Sequence, residues 1–245
     1  MTELLILGEG PHAAEMLDIV RRVNAGQHTW DFLGFATNRE DLVGGSIEGF
    51  PILEAQEAME RYPLAVLAPE YEWPRKAELP SSRLASLIDP SAVISSTATI
   101  GMGCVIFPHC YVGAQARIGD FLFCLSGSVI NHNVVIEDRV TLTSGVVLAG
   151  DVHVEADCYL GQSSVVREQL RIGKGSLLGM GCVVLHNVAP NSVMVGNPAR
   201  HLSARELNFP GMYLWKSLKR LARKGLKATR RTFFALQVRS AALRR

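Results

Sequence analysis

The side chains of this 245-residue chain best suited to chemistry near neutral pH are its seven histidines and five cysteines. Histidine titrates close to that range and can move a proton, so the direction each ring faces decides its use. His132 lies in Ile130-Asn131-His132-Asn133-Val134-Val135-Ile136-Glu137-Asp138, two places after an apolar residue of a regular series. That position is off the inward slots, which turns the ring outward toward solvent or an interface. The neighbouring Asn133 can accept an imidazole N–H bond but adds no countercharge. His109, His132 and His153 fall at three different positions of the same series, so they do not converge on zinc and no metal is expected. The cysteines are odd in number and lack C-x-x-C spacing, which argues against a disulfide framework or a zinc knuckle. Gly8-Glu9-Gly10-Pro11-His12 follows an aliphatic run and precedes a helical pattern. Such a loop can hold a phosphate at a helix N-terminus, or serve only as a tight strand-to-helix turn.

The series that places His132 is a six-residue repeat. From Ile88 to Val184 every sixth residue is Ile, Leu or Val, with Cys124 the one exception, and no insertion breaks the register. A helix would return an apolar residue at three and four, and a simple strand at two. One inward aliphatic every six fits short strands joined by corners and stacked coil upon coil, a parallel β-helix. Glycine follows the aliphatic at 101, 113, 119, 161, 173 and 179, where a corner with positive φ is expected. Four places after the aliphatic sits a small residue, such as Ala92, Cys104, Cys110, Ala116, Ser128, Cys158 or Cys182. With Cys124 in the aliphatic slot, all five cysteines read as buried packing residues rather than nucleophiles.

Residues 1–82 have a different texture. Leu4–Leu7 reads as a buried strand, Ala13–Val20 as a helix, Phe32–Ala36 as a strand, Glu54–Arg61 as a helix and Leu64–Leu67 as a strand. That alternation predicts a small parallel α/β sheet, with any ligand at the carboxyl ends of its strands. The β-helix then occupies 83–202. The remaining segment, 203–245, is basic: from Gly211 onward there are eleven Lys or Arg and no Asp or Glu, against 14 basic and 23 acidic residues elsewhere. Trp215, Leu218, Ala222 and Leu226 line one helical face there, a pattern suited to an anionic membrane surface or to packing on the protein itself. No recognition motif accompanies the charge, so a nucleic acid polymer is not an expected partner. No apolar run reaches membrane-spanning length and the first residues lack a signal-peptide pattern, so a cytoplasmic location is expected, with the tail at the inner face of the membrane.

Taken together, the GEGPH loop, the hexad repeat and the closing Val195-Gly196-Asn197-Pro198-Ala199-Arg200 resemble bacterial sugar N-acetyltransferases of the bacillosamine, perosamine and sialic-acid-locus type. The resemblance covers roughly residues 3–202. It implies a Rossmann-like N-terminal domain, a left-handed β-helix and a homotrimer with active sites between neighbouring prisms. It implies acetyl-CoA as co-substrate and an amino sugar, free or nucleotide-linked, as acceptor. His132 matches the segment of the family's catalytic base, which removes a proton from the attacking nitrogen. Asn133 stands where relatives carry Asp or Glu, which removes the carboxylate partner. Thr141 stands where some relatives carry a second histidine near the acetyl group. Gly150 matches a glycine whose backbone N–H meets the thioester carbonyl. Gln162, Gly179, Met180 and Gly181 match positions along the pantetheine arm, and Lys174 and Arg200 are candidates for the CoA phosphates. For the acceptor, the resemblance points to Gly10, Pro11 and His12 as a phosphate cradle, and to Thr37 and Asn38 at the end of the second strand. Relatives place an Asp pair at that strand end and a Gly-Asn turn after the third strand, where this chain has Ala68-Pro69-Glu70. Three readings follow: N-acetyl transfer, O-acetyl or formyl transfer to a related acceptor, or a β-helix retained as an assembly or binding module.

Overall fold

The structure, a computed structural model, describes residues 1–61, 64–68 and 83–202. The expectations for the tail 203–245 and for Pro69 and Glu70 lie outside the described residues. Among the described residues no helix is long and apolar enough to cross a membrane.

The N-terminal unit runs β1 (Thr2–Leu7), α1 (Pro11–Gln27), β2 (Trp30–Thr37), β3 (Ser46–Ile47), β4 (Phe50–Glu54), α2 (Ala55–Arg61) and β5 (Ala65–Leu67). Its sheet has the order β3-β4-β2-β1-β5, parallel except for the β3–β4 hairpin. Leu4 to Leu7 are all buried, as a central parallel strand covered on both faces requires. α1 opens at Pro11, whose fixed φ suits the first helical position, and closes at His28 in the left-handed region. The sequence reading missed the hairpin. Glu48 and Gly49 carry φ of 48° and 84°, the turn geometry that joins two short antiparallel strands. α2 begins at Ala55 rather than Glu54, because the Glu54 carboxylate accepts the Glu57 N–H and caps the helix from outside.

From β6 (Leu87–Ile88) to β22 (Val183–Val184) a two-residue strand recurs every six residues. Neighbouring coils pair in parallel eighteen residues apart, as Tyr111 with Val129 and Val129 with Val147. Three faces result: face A (β7-β10-β13-β16-β19-β22), face B (β8-β11-β14-β17-β20) and face C, where β6-β9-β12-β15-β18-β21 continues into β23 (Val193–Val195) and β24 (Arg200–His201). The second residue of each strand points inward. Ile130, Leu142, Leu148, Val154 and Leu160 are fully buried in one column of core, with the cysteines among the small residues beside them. Each fully buried aliphatic contributes roughly 1.5–3 kcal/mol, so the repeat is its own source of stability.

The expected corner geometry is corrected in one respect. The left-handed backbone is not at Gly101, Gly113, Gly119, Gly161, Gly173 or Gly179, but two residues further on. From Gly103 to Gly181 every sixth residue has φ between 55° and 71°, including Asn133 and Asp151. The glycines after the aliphatics are small for another reason, the approach of the next coil. A Cβ on Gly113 would sit 2.7 Å from the Asn131 carbonyl carbon, and one on Gly173 would sit 2.4 Å from the Pro190 nitrogen.

The two units share a core. Met16, Leu17 and Val20 of α1 pack in one cluster with Leu87, Val105, Phe107 and Phe123 on the outer side of face C. Arg22 of α1 also reaches Asp89 at the end of β6, Nε to Oδ2 at 2.6 Å, and the Asp89 side chain is wholly buried. Burial opposes its charge, but hydrogen bonds from Ser91 and Arg22 outweigh that and hold the carboxyl below its usual range. This fixes where the loop after β1 stands relative to the prism.

Candidate active site

His132 sits on the corner between faces A and B, with Gly150 one coil above it in the same column. The ring lies across that glycine. A Cβ on Gly150 would come within 2.4 Å of the His132 Cε1, 2.6 Å of Nε2 and 3.1 Å of Nδ1. The Gly150 N–H takes no acceptor among the described residues, while its carbonyl accepts from Gln169. An exposed imidazole therefore stands beside a backbone donor with nothing projecting between them. Such a pair can take a proton from a nucleophile and stabilise an oxygen that is gaining charge.

The contrast with His153 on face B is informative. Arg171 can only donate, so its 3.1 Å contact makes the His153 Nδ1 an acceptor and leaves Nε2–H to donate to Glu137 at 2.9 Å. Both nitrogens are committed to structure. The His132 ring makes no hydrogen bond among the described residues, so neither nitrogen is committed to structure.

Asn133 does not turn to the histidine. Its Nδ2 donates to Asp151 Oδ1 at 3.0 Å, one coil up, and its backbone N–H donates to the Ala114 carbonyl. Its left-handed backbone favours Asn or Asp at that corner, independently of any chemistry.

The remaining residues do not gather around His132 within one chain. Thr141 lies on face C, buried, in register between Phe123 and Tyr159. Gln162, Gly179, Met180 and Gly181 share the corner between faces C and A, where the Gly181 N–H donates to the Gln162 carbonyl and Met180 is 65% exposed. Lys174 occupies the corner between faces B and C, its N–H bonded to Glu155 and its Nζ 3.9 Å from Asp157. Arg200 lies on β24, paired antiparallel with Val195 after a cis Asn197–Pro198 bond. Among the described residues no group of three His, Cys, Asp or Glu is placed to hold a metal ion.

At the other end, Gly10 precedes the first turn of α1 and Pro11 is exposed. The His12 ring meets Phe123 of face C edge-on at 5.4 Å and bonds Glu15 through Nδ1. Thr37 is buried and donates from Oγ1 to Glu9 Oε2 at 2.9 Å; Asn38 is exposed. Glu9 is a residue the sequence reading passed over. It brings negative charge to the loop cast as a phosphate cradle, and Arg39, 4.0 Å away, offsets it. The signal was present in the loop's own composition.

No protein-family model matches the chain. Curated relatives include acyl-[acyl-carrier-protein]–UDP-N-acetylglucosamine O-acyltransferases of Pseudomonas aeruginosa, 35% identical over 99 residues, which span 40% of this chain and 37% of that protein. A Synechocystis protein of the same name is 31% identical over 100 residues. The chain thus spans little more than a third of the length of the curated relatives it matches. Among solved structures, the acetyltransferase domain of PglB from Neisseria gonorrhoeae superposes with a TM-score of 0.69 at 20% identity, covering 82% of this chain and all of that one. PerB from Caulobacter crescentus, solved with CoA and GDP-perosamine, gives 0.69 at 20% over 83% of this chain and 98% of that one. These likenesses place the chain in the fold of the hexapeptide-repeat β-helix proteins.

Proposed function

We propose that the chain is an acyltransferase of the left-handed β-helix type that moves an acetyl group from acetyl-CoA to the amino group of a sugar, nucleotide-linked and destined for a surface glycan. Residues 1–82 are its Rossmann-like acceptor-binding unit. The observation that supports this reading is the His132 ring laid against Gly150, where among the described residues neither ring nitrogen nor the Gly150 N–H has a hydrogen-bond partner. Acetyl-CoA supplies an activated acyl group. His132 removes the proton from the attacking nitrogen as the N–C bond forms, and the Gly150 N–H donates to the carbonyl oxygen as it becomes negative. Collapse of that intermediate breaks the C–S bond, the proton passing from His132 to the departing CoA thiolate. The absence of a side chain at 150 is what leaves room for the imidazole beside that donor.

The working unit is a homotrimer. Two features support this. The candidate residues are spread over three corners of one prism, so a second copy is needed to bring Gln162, Met180 and Lys174 toward a neighbour's His132. Face A also presents an apolar column, Val93, Tyr111, Val129, Val147, Val165 and Val183, with Val93 61% exposed. That is the kind of surface a second copy covers. Transfer to a sugar hydroxyl is the second reading, favoured by the names of the curated relatives, which are O-acyltransferases.

The test incubates the protein with acetyl-CoA and a panel of amino sugars, free and nucleotide-linked, and follows thiol release and product mass. Thiol release that depends on an amino sugar, and that His132→Ala lowers by at least about 10²-fold, is the expected result. Product acylated on oxygen would move the chain to the second reading, and no turnover with any acceptor would leave only a scaffold.

A further inference from the structure

Loss of the carboxylate next to the catalytic histidine would ordinarily weaken a base, because nothing then fixes the ring or balances the imidazolium. The corner that carries His132 also holds Asp151, one coil above Asn133. Asp151 is the residue after Gly150, and the His132 ring lies across Gly150. The Asp151 N–H donates to the His132 carbonyl at 3.1 Å, which ties the two backbones together. Its Oδ1 is held by Asn133 at 3.0 Å, while Oδ2 takes no hydrogen bond among the described residues. The amide that stands in the carboxylate's place thus holds a carboxylate from the coil above.

We propose that Asp151 is the positioning residue for His132, and that Asn133 acts by aiming it. This rests on the acyl-transfer reading of the same corner. The His132 ring, which makes no hydrogen bond among the described residues, turns to place one N–H on the free Oδ2, and that contact selects the tautomer whose other nitrogen faces the substrate.

Other groups on this corner do not serve. The column below His132 holds Ala114 and Gln115, and the coil above Asp151 holds Glu168 and Gln169. Glu168 is two coils from His132, roughly 9–10 Å at the usual strand spacing, and stands 3.9 Å from Arg167, which offsets its charge. The backbone gives the competing explanation its own prediction. Asn133 and Asp151 both occupy left-handed corners, with φ of 58° and 60°, where Asn and Asp are equally at home. If conformation were their only role, Asp151→Asn would be silent.

The experiment compares wild type, Asp151→Asn and the exchanged pair Asn133→Asp/Asp151→Asn. Thiol-release kinetics are read together with the 15N shifts of the His132 ring in the neutral imidazole. Asp151→Asn is expected to lower kcat about tenfold while KM for acetyl-CoA stays within about twofold, a loss typical of removing an orienting partner. The exchanged pair, which returns a carboxylate to the corner, is expected to recover most of it. Ring nitrogens should show one dominant tautomer in wild type and a mixture in Asp151→Asn. Equal kcat in the single variant, or identical ring shifts, overturns the proposal. Should the wild type prove inactive, the acyl-transfer reading falls, and the 15N pattern still decides whether Asp151 orients the ring.

Discussion

Replacing Gly150 by alanine separates the chemistry of this corner from its folding. The added Cβ would lie 2.4 Å from His132 Cε1 and 2.6 Å from Nε2. Carbon atoms in contact sit about 3.5–4.0 Å apart, so the ring must move by more than about 1 Å. It can do so cheaply, because His132 is exposed and makes no hydrogen bond that would be lost. Gly150 is not among the residues with left-handed backbone, so alanine adopts its conformation without strain. Fewer unfolded conformations favour alanine by about 0.4–1 kcal/mol, which offsets the rotation of the ring. Stability should therefore change by less than about 1 kcal/mol, or a few degrees in Tm for a chain of this size. The rate should fall by about 10²-fold, since a misplacement of about 1 Å is enough to cost that much. The backbone N–H survives the substitution, so the loss reports on the ring. Thermal melts and thiol release on the same preparation make the assay. Gly173→Ala is the control, because its Cβ meets the Pro190 nitrogen at 2.4 Å and backbone cannot swing aside. That variant should lose several degrees in Tm. Activity in Gly150→Ala within about threefold of wild type would refute the claim that the ring's place over Gly150 matters.

Further outcomes follow from the same structure. Asp89→Asn should lower stability at pH 7 by about 1–3 kcal/mol by weakening the buried carboxylate's bonds to Ser91 and Arg22, read as a denaturation midpoint. The wild type's share of stability from Asp89 is fully present above the unfolded carboxyl value of about 3.9 and is lost as pH falls through the lower folded value. A variant whose acid transition matches wild type would contradict this. Ser164 Oγ is buried with no hydrogen-bond partner among the described residues, so Ser164→Ala should leave Tm unchanged or raise it; a marked drop would mean the hydroxyl has a partner. Burial pushes the Cys104 and Cys158 thiols up to about 11, leaving roughly one in a thousand ionised at pH 8. The five buried cysteines should react with a disulfide reagent only after unfolding, and rapid reaction of the native protein would refute their packing role.

The prism was legible because one aliphatic every six residues has no other economical fold, and each such residue from Ile106 to Val184 is buried. The corners were only half legible. Glycine after the aliphatic suggested positive φ, yet the cause is the next coil's approach, which is a contact eighteen residues away. Of the fourteen left-handed positions from 103 to 181, nine hold residues other than glycine, Gln115, Arg139 and Gln169 among them, so composition did not mark them. His132 and Gly150 were each singled out by resemblance, and the eighteen-residue coil period that stacks one on the other was not used. The same period stacks Asp151 on Asn133, a contact that no adjacent residue signals. Glu9 and Thr37 meet across a sheet whose strand order no local pattern specifies, and the β3–β4 hairpin is too short for periodicity to register.

The central claim is that the imidazole of His132 removes the proton in acyl transfer. Its most direct test is single-turnover thiol release by His132→Asn at saturating acetyl-CoA and amino-sugar acceptor, with acetyl-CoA affinity measured by calorimetry on the same sample. The account predicts unchanged affinity and a rate lower by at least about 10²-fold. Wild-type release from that variant would contradict it.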